Sequence, residues 1–212
     1  FDMGGTSSDI SLIVDGDVTL SADRSVAEEK IALSSLDIVT LGAGGGSIAW
    51  VNAGGLLEVG PHSAGAVPGP ACYGRGGTEA TVTDANVALG YLDPSKLLGG
   101  SDRLDLDAAH AALDRIGEQL GISRIEAAQG VFRVVNTQMA EGIRLATVRR
   151  GVDPRRFALL GFGGAAGIHV TGLARMLDLK RVIVPRVASV LSAWGMLTTD
   201  LRYEVTRTHV GE

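Results

Sequence analysis

The residues best suited to chemistry lie in two glycine-rich turns. The first is Phe1-Asp2-Met3-Gly4-Gly5-Thr6-Ser7-Ser8-Asp9, which runs into the strand-like Ile10-Ser11-Leu12-Ile13-Val14. Glycine lets backbone N–H groups come close to an anion. Gly4, Gly5 and Thr6 supply such groups, Thr6 or Ser7 adds a hydroxyl, and the carboxylates of Asp2 and Asp9 suit a hydrated Mg²⁺. So read, the segment is a phosphate loop; the competing reading is a tight β-turn between solvated acids. The second turn, Gly161-Phe162-Gly163-Gly164-Ala165-Ala166-Gly167, sits between an apolar strand and a helix, whose N-terminus adds a favourable dipole for an anion. One reading is a contact with adenosine or ribose through Gly163, Gly164 and Ala165. Another is a dinucleotide site, since Gly161, Gly163 and Ala166 satisfy G-x-G-x-x-A. That pattern wants an acid at the end of the next strand, where Pro185-Arg186 stands; Arg186 suits a 2′-phosphate instead. An NADP-binding oxidoreductase therefore stands as an alternative, and plain helix–strand packing as a third reading.

Other candidates are less specific. Gly42-Ala43-Gly44-Gly45-Gly46-Ser47 precedes a strand and not a helix, so it lacks the dipole of a phosphate site; structural and ligand-contacting readings stand level. Asp84 and Asn86, in Thr81-Val82-Thr83-Asp84-Ala85-Asn86, serve either as a helix cap or as polar residues of a substrate cleft. His169, just inside the helix after Gly167, is placed to face that cleft. His62, His110 and His209 show no H-x-x-x-H ligand spacing. Cys72 has no base beside it in the sequence and reads as a buried, inert thiol.

These residues need elements to hold them. Ile10–Val14, the Asp15-Gly16 turn and Asp17–Leu20 form a hairpin signal, because Asp-Gly suits a type I′ turn. With a strand ending at Met3, residues 1–20 predict a three-stranded antiparallel meander. Ser47–Val51 and Leu56–Val59 predict a second hairpin around Asn52–Gly55. Residues 60–80, with three prolines, predict a loop. Asp105 caps a helix ended by Gly121, and Ser123 with Glu126 opens another that runs toward Gly151. Gly130 and Gly142 inside that helix cost about 1 kcal/mol each relative to alanine, which predicts close approach of a neighbour. Phe157–Leu160, a helix over 165–177 and Arg181–Pro185 predict a parallel strand–helix–strand crossover. Residues 186–200, charged only at Arg186 and Asp200, are expected to be buried.

Composition bounds the rest. Of 212 residues, 45% are hydrophobic and 20% charged, an ordinary globular balance. Thirty are glycine, about twice the usual ~7% share, and they cluster in turns. A net charge of −5 gives no basic footprint for nucleic acid. Residues 38–57 carry no charge, but six glycines there argue against a lipid-facing helix and so against a membrane span. The single cysteine allows no intrachain disulfide and suits a reducing, cytoplasmic setting. The chain begins at Phe1, inside a strand, and reads as the core segment of a larger domain.

Taken together, FDMGGTSSDISLI (1–13), LGAGGGSIAWVNAGGLLEVGP (41–61), SAGAVPGPACYGRGGTEATVTDANVALGYL (63–92), RVVNTQMAEGIR (133–144), FALLGFGGAAGIH (157–169) and VLSAWGMLTTD (190–200) resemble the hydantoinase A / 5-oxoprolinase family. The resemblance implies an α/β actin-like ATPase (ribonuclease H-like) fold, a mixed sheet with an antiparallel meander and a βαβ crossover. It implies ATP-dependent opening of a cyclic amide of the 5-oxoproline or hydantoin type, with ATP and Mg²⁺ as cofactors; ketone carboxylases are relatives. Asp2 and Asp9 then become the catalytic and metal-holding acids, and Gly4, Gly5, Thr6, Ser7, Gly163, Gly164 and Ala165 the nucleotide contacts. A hydantoinase B-like subunit or domain, within an oligomer, is the implied partner. The chain departs from the family pattern in lacking an earlier DxGGT motif, in carrying Val67 where an acid is usual, and in Ala166-Gly167 where Gly-Pro is common. A non-catalytic assembly segment is the remaining alternative.

Overall fold

The structure, a computed structural model, describes residues 1–21, 24–26, 29–31, 35–96, 103–201 and 203. His209 lies outside them. The first glycine turn joins two short strands, β1 (Asp2–Met3) and β2 (Ser8–Ser11). Beyond them run β3 (Ile13–Val14), β4 (Asp17–Val18), β5 (Leu20–Ser21), β6 (Arg24–Val26), β7 (Glu29–Ile31), β8 (Ser35–Leu36) and β9 (Ile38–Leu41). The Asp15-Gly16 turn forms as expected, with both residues at positive φ. The meander does not follow it, however. The third strand on β2 is β9, with Ile10 opposite Val39, while β3 and β4 pair only with each other. Ile13 (49%) and Val18 (47%) remain exposed there. Burial decides the pairing: β9 also packs on the long helix beneath the sheet.

A second hairpin, β10 (Ser47–Val51) with β11 (Leu57–Ser63), turns at Asn52–Gly55 as the sequence predicts. Three helices follow: α1 (Val82–Ala88), α2 (Leu106–Leu120) and α3 (Arg124–Val148). Asp105 accepts from the N–H of Ala108 to cap α2, and Ser123 and Glu126 form a reciprocal capping box on α3. The crossover is β12 (Ala158–Leu160), α4 (Ala166–Met176) and β13 (Arg181–Ile183), with the two strands parallel. A short helix, α5 (Leu191–Thr198), ends the described region.

β1 joins the two halves. It pairs antiparallel with β2 and meets the end of β12 in a parallel bridge between Asp2 and Phe162. The order β9-β2-β1-β12-β13 makes one mixed sheet. Met3, Ser8 and Ile10 point to its buried side, where α3 supplies Val135, Met139 and Ile143. Full burial of a side chain such as Met3 contributes about 1.5–3 kcal/mol. A Cβ at Gly142 would lie 2.4 Å from Leu41 Cδ1 and 2.9 Å from Ile10 Cδ1, and one at Gly130 would lie 2.8 Å from Leu57 Cδ2. The two helix glycines thus admit the strands, as their cost predicts. Residues 186–200 correct the expectation of burial: Val190, Trp194, Met196 and Leu197 are exposed, the last two by 80% and 85%.

Candidate functional site

In an antiparallel pair, residues directly opposite share a face. Asp2 lies opposite Asp9, and Asp9 opposite Thr40 of β9. All three therefore sit on the open side of the sheet, away from α3. Thr40 Oγ1 donates to Asp9 Oδ1 at 2.6 Å, and Ser192 Oγ of α5 donates to Asp2 Oδ2 at 2.9 Å. Each carboxylate keeps its other oxygen without a hydrogen-bond partner among the described residues. Thr40 and Ser192 were not legible as site residues. Only strand register reveals the first, and only a long-range contact the second.

The turn between the two acids projects Gly5 and Thr6 into solvent, with Gly4 and Ser7 half-buried. Gly4 N–H donates to Ser7 O and closes the turn. The N–H groups of Gly5, Thr6 and Ser7 have no partner among the described residues. The Gly42–Ser47 loop braces this turn from behind. Gly45 N–H donates to Gly4 O at 3.0 Å, Gly46 N–H donates to Gly5 O, and a Cβ on Gly44 would lie 2.6–2.8 Å from the backbone of Gly5 and Thr6. In turn Thr83, at the start of α1, donates both its N–H and its Oγ1–H to Gly45 O at 2.8 Å. Gly44→Ala is accordingly expected to push the turn outward and to cost about 1–3 kcal/mol, the range for overpacking. A shift in the urea midpoint at unchanged slope would measure it.

The second turn docks on β1. Phe162 N–H donates to Phe1 O, Met3 N–H to Phe162 O and Ala165 N–H to Met3 O, each at 3.0 Å. Gly163 has φ +91°, and a Cβ there would lie 2.2 Å from Asp2 Oδ1. The two glycine turns, some 160 positions apart, thus meet at Asp2. Gly161 N–H and Gly163 N–H are taken by Ile183 O and Ala188 O. A dinucleotide pyrophosphate would need such groups free, so this pairing weighs against the NADP reading. Gly164 is exposed, with no partner for its N–H among the described residues.

Asp84, Asn86 and His169 do not line an open cleft. Asp84 is wholly buried and accepts from the N–H groups of Ala71, Cys72 and Thr81 and from Thr81 Oγ1. It caps α1 and ties down the 70–73 turn, so of the two sequence readings the cap is the one formed. Cys72 is buried beside it. Desolvation, then the Asp84 charge, push its thiol pKa up, which leaves it a poor nucleophile. His169 is also fully buried and stacks on Phe132. Its Nδ1 faces Asn136 Oδ1 at 3.1 Å and its Nε2 faces Asn86 Nδ2 at 3.3 Å, an arrangement that fits the neutral ring protonated at Nδ1. This network knits α1, α3 and α4 together behind the site. The helical phase of α4 explains the difference: His169, Val170 and Leu173 share the face turned to the core.

Desolvation pushes the His169 pKa down to about 4 from 6.5. The unfolded chain therefore binds a proton between these values that the folded chain refuses. Stability should fall as pH drops from 6.5 to about 4, by an amount on the order of 3 kcal/mol. Urea midpoints at pH 7 and pH 4.5 should show this drop, and His169→Asn should remove most of it.

The open face thus combines the N–H groups of Gly5, Thr6 and Ser7, unpartnered among the described residues, with two carboxylates. Among the described residues no group of three or more metal-ligating side chains occurs. Two carboxylates are nevertheless the usual protein share of a Mg²⁺ site completed by phosphates and water.

A family model described as hydantoinase/oxoprolinase matches residues 1–205. The chain belongs to the hydantoinase/oxoprolinase family. It is 52% identical over 208 residues to caprolactamase subunit alpha of Pseudomonas jessenii, covering 98% of this chain and 30% of that one. The crystal structure of the ATP-dependent caprolactamase from that organism superimposes with a TM-score of 0.86 at 53% identity, over 95% of this chain and 29% of the other. A nucleotide-free structure of acetone carboxylase gives a TM-score of 0.87 at 32% identity, over 95% and 29%. A 5-oxoprolinase of Pestalotiopsis fici is 42% identical over 215 residues, 96% of this chain and 16% of its own length. The chain therefore spans less than a third of the proteins it matches.

Proposed function

We propose that this chain is the nucleotide-holding core of an enzyme that couples ATP hydrolysis to the opening of a cyclic amide. The observation that carries the reading is the meeting of both glycine turns at Asp2, beside the open carboxylate of Asp9. The family supports it, since relatives are named as an ATP-dependent caprolactamase and a 5-oxoprolinase. We read the mixed sheet as one half of an actin-like ATPase fold. The subunit designation of the caprolactamase relative supports a hydantoinase B-like partner subunit for the complete protein.

An amide is a poor electrophile. Moving the γ-phosphoryl group of ATP to the carbonyl oxygen turns that oxygen into a leaving group. Water attacks the carbonyl carbon, and the ring nitrogen takes a proton and leaves to give an acyl phosphate. A second water attacks the same carbon and releases phosphate carrying the former amide oxygen; lactam, ATP and two waters thus sum to amino acid, ADP and inorganic phosphate. The protein's share is positioning and charge neutralisation. The N–H groups of Gly5, Thr6 and Ser7 cradle phosphate oxygens. Gly163, Gly164 and Ala165 pass beneath the nucleoside, where a side chain at Gly163 would strike Asp2. Asp2 and Asp9 would hold Mg²⁺, which supplies neutralisation of phosphate charge, and Asp9 orients water. Thr40 and Ser192 fix the two carboxylates by donating to one oxygen of each.

A second reading, ATP-dependent carboxylation of a ketone, is favoured by the likeness to acetone carboxylase. One assay separates them. The complete protein is supplied with MgATP and either ε-caprolactam, 5-oxoproline and a hydantoin, or a ketone with bicarbonate. Ring opening that stops without ATP is expected. Turnover of the ketone alone would overturn the amide reading.

A further inference from the structure

The phosphate turn is approached from two ends. Gly163–Ala165 meets it at Asp2 and Met3, and Gly44–Gly46 meets it at Gly4–Thr6. Beyond the second contact stands the 63–69 loop. A Cβ on Gly46 would lie 2.9 Å from Gly5 O, 3.0 Å from Ser63 Oγ and 3.8 Å from Gly65 N, so turn and loop flank one residue of the brace. Backbone bonds fix the loop: Ala64 N–H donates to Gly46 O at 2.9 Å, and Gly69 N–H donates to Ala64 O at 3.1 Å. A second route runs through Gly45, where a Cβ would lie 2.9 Å from Thr83 Oγ1 and 3.9 Å from Gly5 Cα. The Thr83 side chain is also within hydrogen-bonding reach of the Tyr73 hydroxyl. A Cβ on Gly69 would lie 2.8 Å from Cδ2 of Tyr73, so the ring backs the far end of the loop.

Held at both ends, the loop turns its tip outward. Ala66, Val67 and Pro68 are exposed, Val67 by 80%. Residues 63–78 carry one charge, Arg75, whose guanidinium lies over the Tyr73 ring, 5.7 Å from its centroid. Val67 thus stands outside the core on a loop that is bonded to the phosphate turn. Residues that bind ligands are commonly placed in this way, on loops that a rigid scaffold positions.

We propose that the 63–69 loop is the acceptor-side wall of the site, and that Val67 selects an uncharged lactam with an apolar ring over one that bears a carboxylate. The proposal rests on the reading of the two turns as a nucleotide grip for cyclic-amide opening. In phosphoryl transfer the attacking and leaving oxygens stand roughly in line. With the nucleoside at Gly163–Ala165 and the phosphates over Gly5–Ser7, the acceptor lies past the turn, where the loop stands. The methylene groups of a lactam gain by leaving water against Val67 and its apolar neighbours. A ring carboxylate would lose water there, and the side chains of Ala66, Val67 and Pro68 return no hydrogen bond.

The test compares ε-caprolactam with 5-oxoproline as substrates of the complete protein at saturating MgATP. ε-Caprolactam is expected to exceed 5-oxoproline in kcat/KM by at least about tenfold, within the range that pocket contacts supply. Val67→Asp should lower kcat/KM for ε-caprolactam at least about tenfold, chiefly through KM, and Val67→Lys should raise that for 5-oxoproline by about as much. KM for MgATP should stay within about twofold in both variants, since residue 67 touches only the acceptor. A preference for 5-oxoproline in the unsubstituted protein would overturn the proposal and point to Arg75 as the selector. Ring opening whose preference ignores residue 67 would overturn this proposal alone. A rise in KM for MgATP that matches the loss on lactam would also overturn it, by making Val67 a structural residue. A protein that opens neither ring would overturn the amide reading, and this proposal with it.

Discussion

Asp9→Asn in the complete protein is expected to lower kcat for ATP-dependent ring opening by roughly 10²–10³-fold, the loss typical of removing one electrostatic group from a preorganised site. The substitution is nearly isosteric. Its Oδ1 can still accept from Thr40 Oγ1, and the half-buried position needs no repacking. Stability should therefore stay within about 0.5 kcal/mol, as for other surface changes. Phosphate release and thermal melting, measured on the same preparation, check the two halves of the prediction. Retained turnover would remove Asp9 from the mechanism. Loss of folding would make it a structural residue.

Gly163→Ala is expected to damage both stability and nucleotide binding. At φ +91° an alanine is strained by roughly 1–2 kcal/mol. Its Cβ would also lie 2.2 Å from Asp2 Oδ1, 2.5 Å from Met3 O and 2.9 Å from Met3 C. Two of these three atoms are backbone, so relief requires β1 or the turn to move, at about a further 1–3 kcal/mol. The total, about 2–5 kcal/mol, separates the second turn from the first. A urea midpoint shift and loss of MgATP binding should appear together. A stable variant with normal affinity would show that the two turns need not meet. Gly164→Ala is the control for the stability change alone, since a Cβ there meets no protein atom within 4 Å.

Much of this arrangement was legible, for local reasons. Caps and turns depend on a few neighbouring residues: Asp105, Ser123 with Glu126, Asp15-Gly16 and Asn52–Gly55 all form where their chemistry predicts. The crossover followed from two apolar runs around a helical period. The third strand of the meander was missed because pairing Ile10 with Val39 is a question of burial, and the nearer hairpin at 17–20 satisfies every local rule. The phase of α4 turns His169 inward, which its position after a glycine turn does not reveal. The brace formed by Gly44, Gly45 and Gly46 was left open because its partner, the Gly4–Thr6 turn, lies some forty residues away. Residues 186–200 were expected to be buried because they are nearly uncharged, but composition does not report contacts, and Val190, Trp194, Met196 and Leu197 are exposed.

In the proposed reaction the amide oxygen becomes the acceptor of the phosphoryl group. A lactam labelled with ¹⁸O at its carbonyl, turned over by the complete protein in unlabelled water with MgATP, tests it most directly. Mass spectrometry of the released inorganic phosphate should find the label there, in proportion to the amino acid formed. Unlabelled phosphate, with all of the ¹⁸O retained in the carboxylate product, would contradict the account.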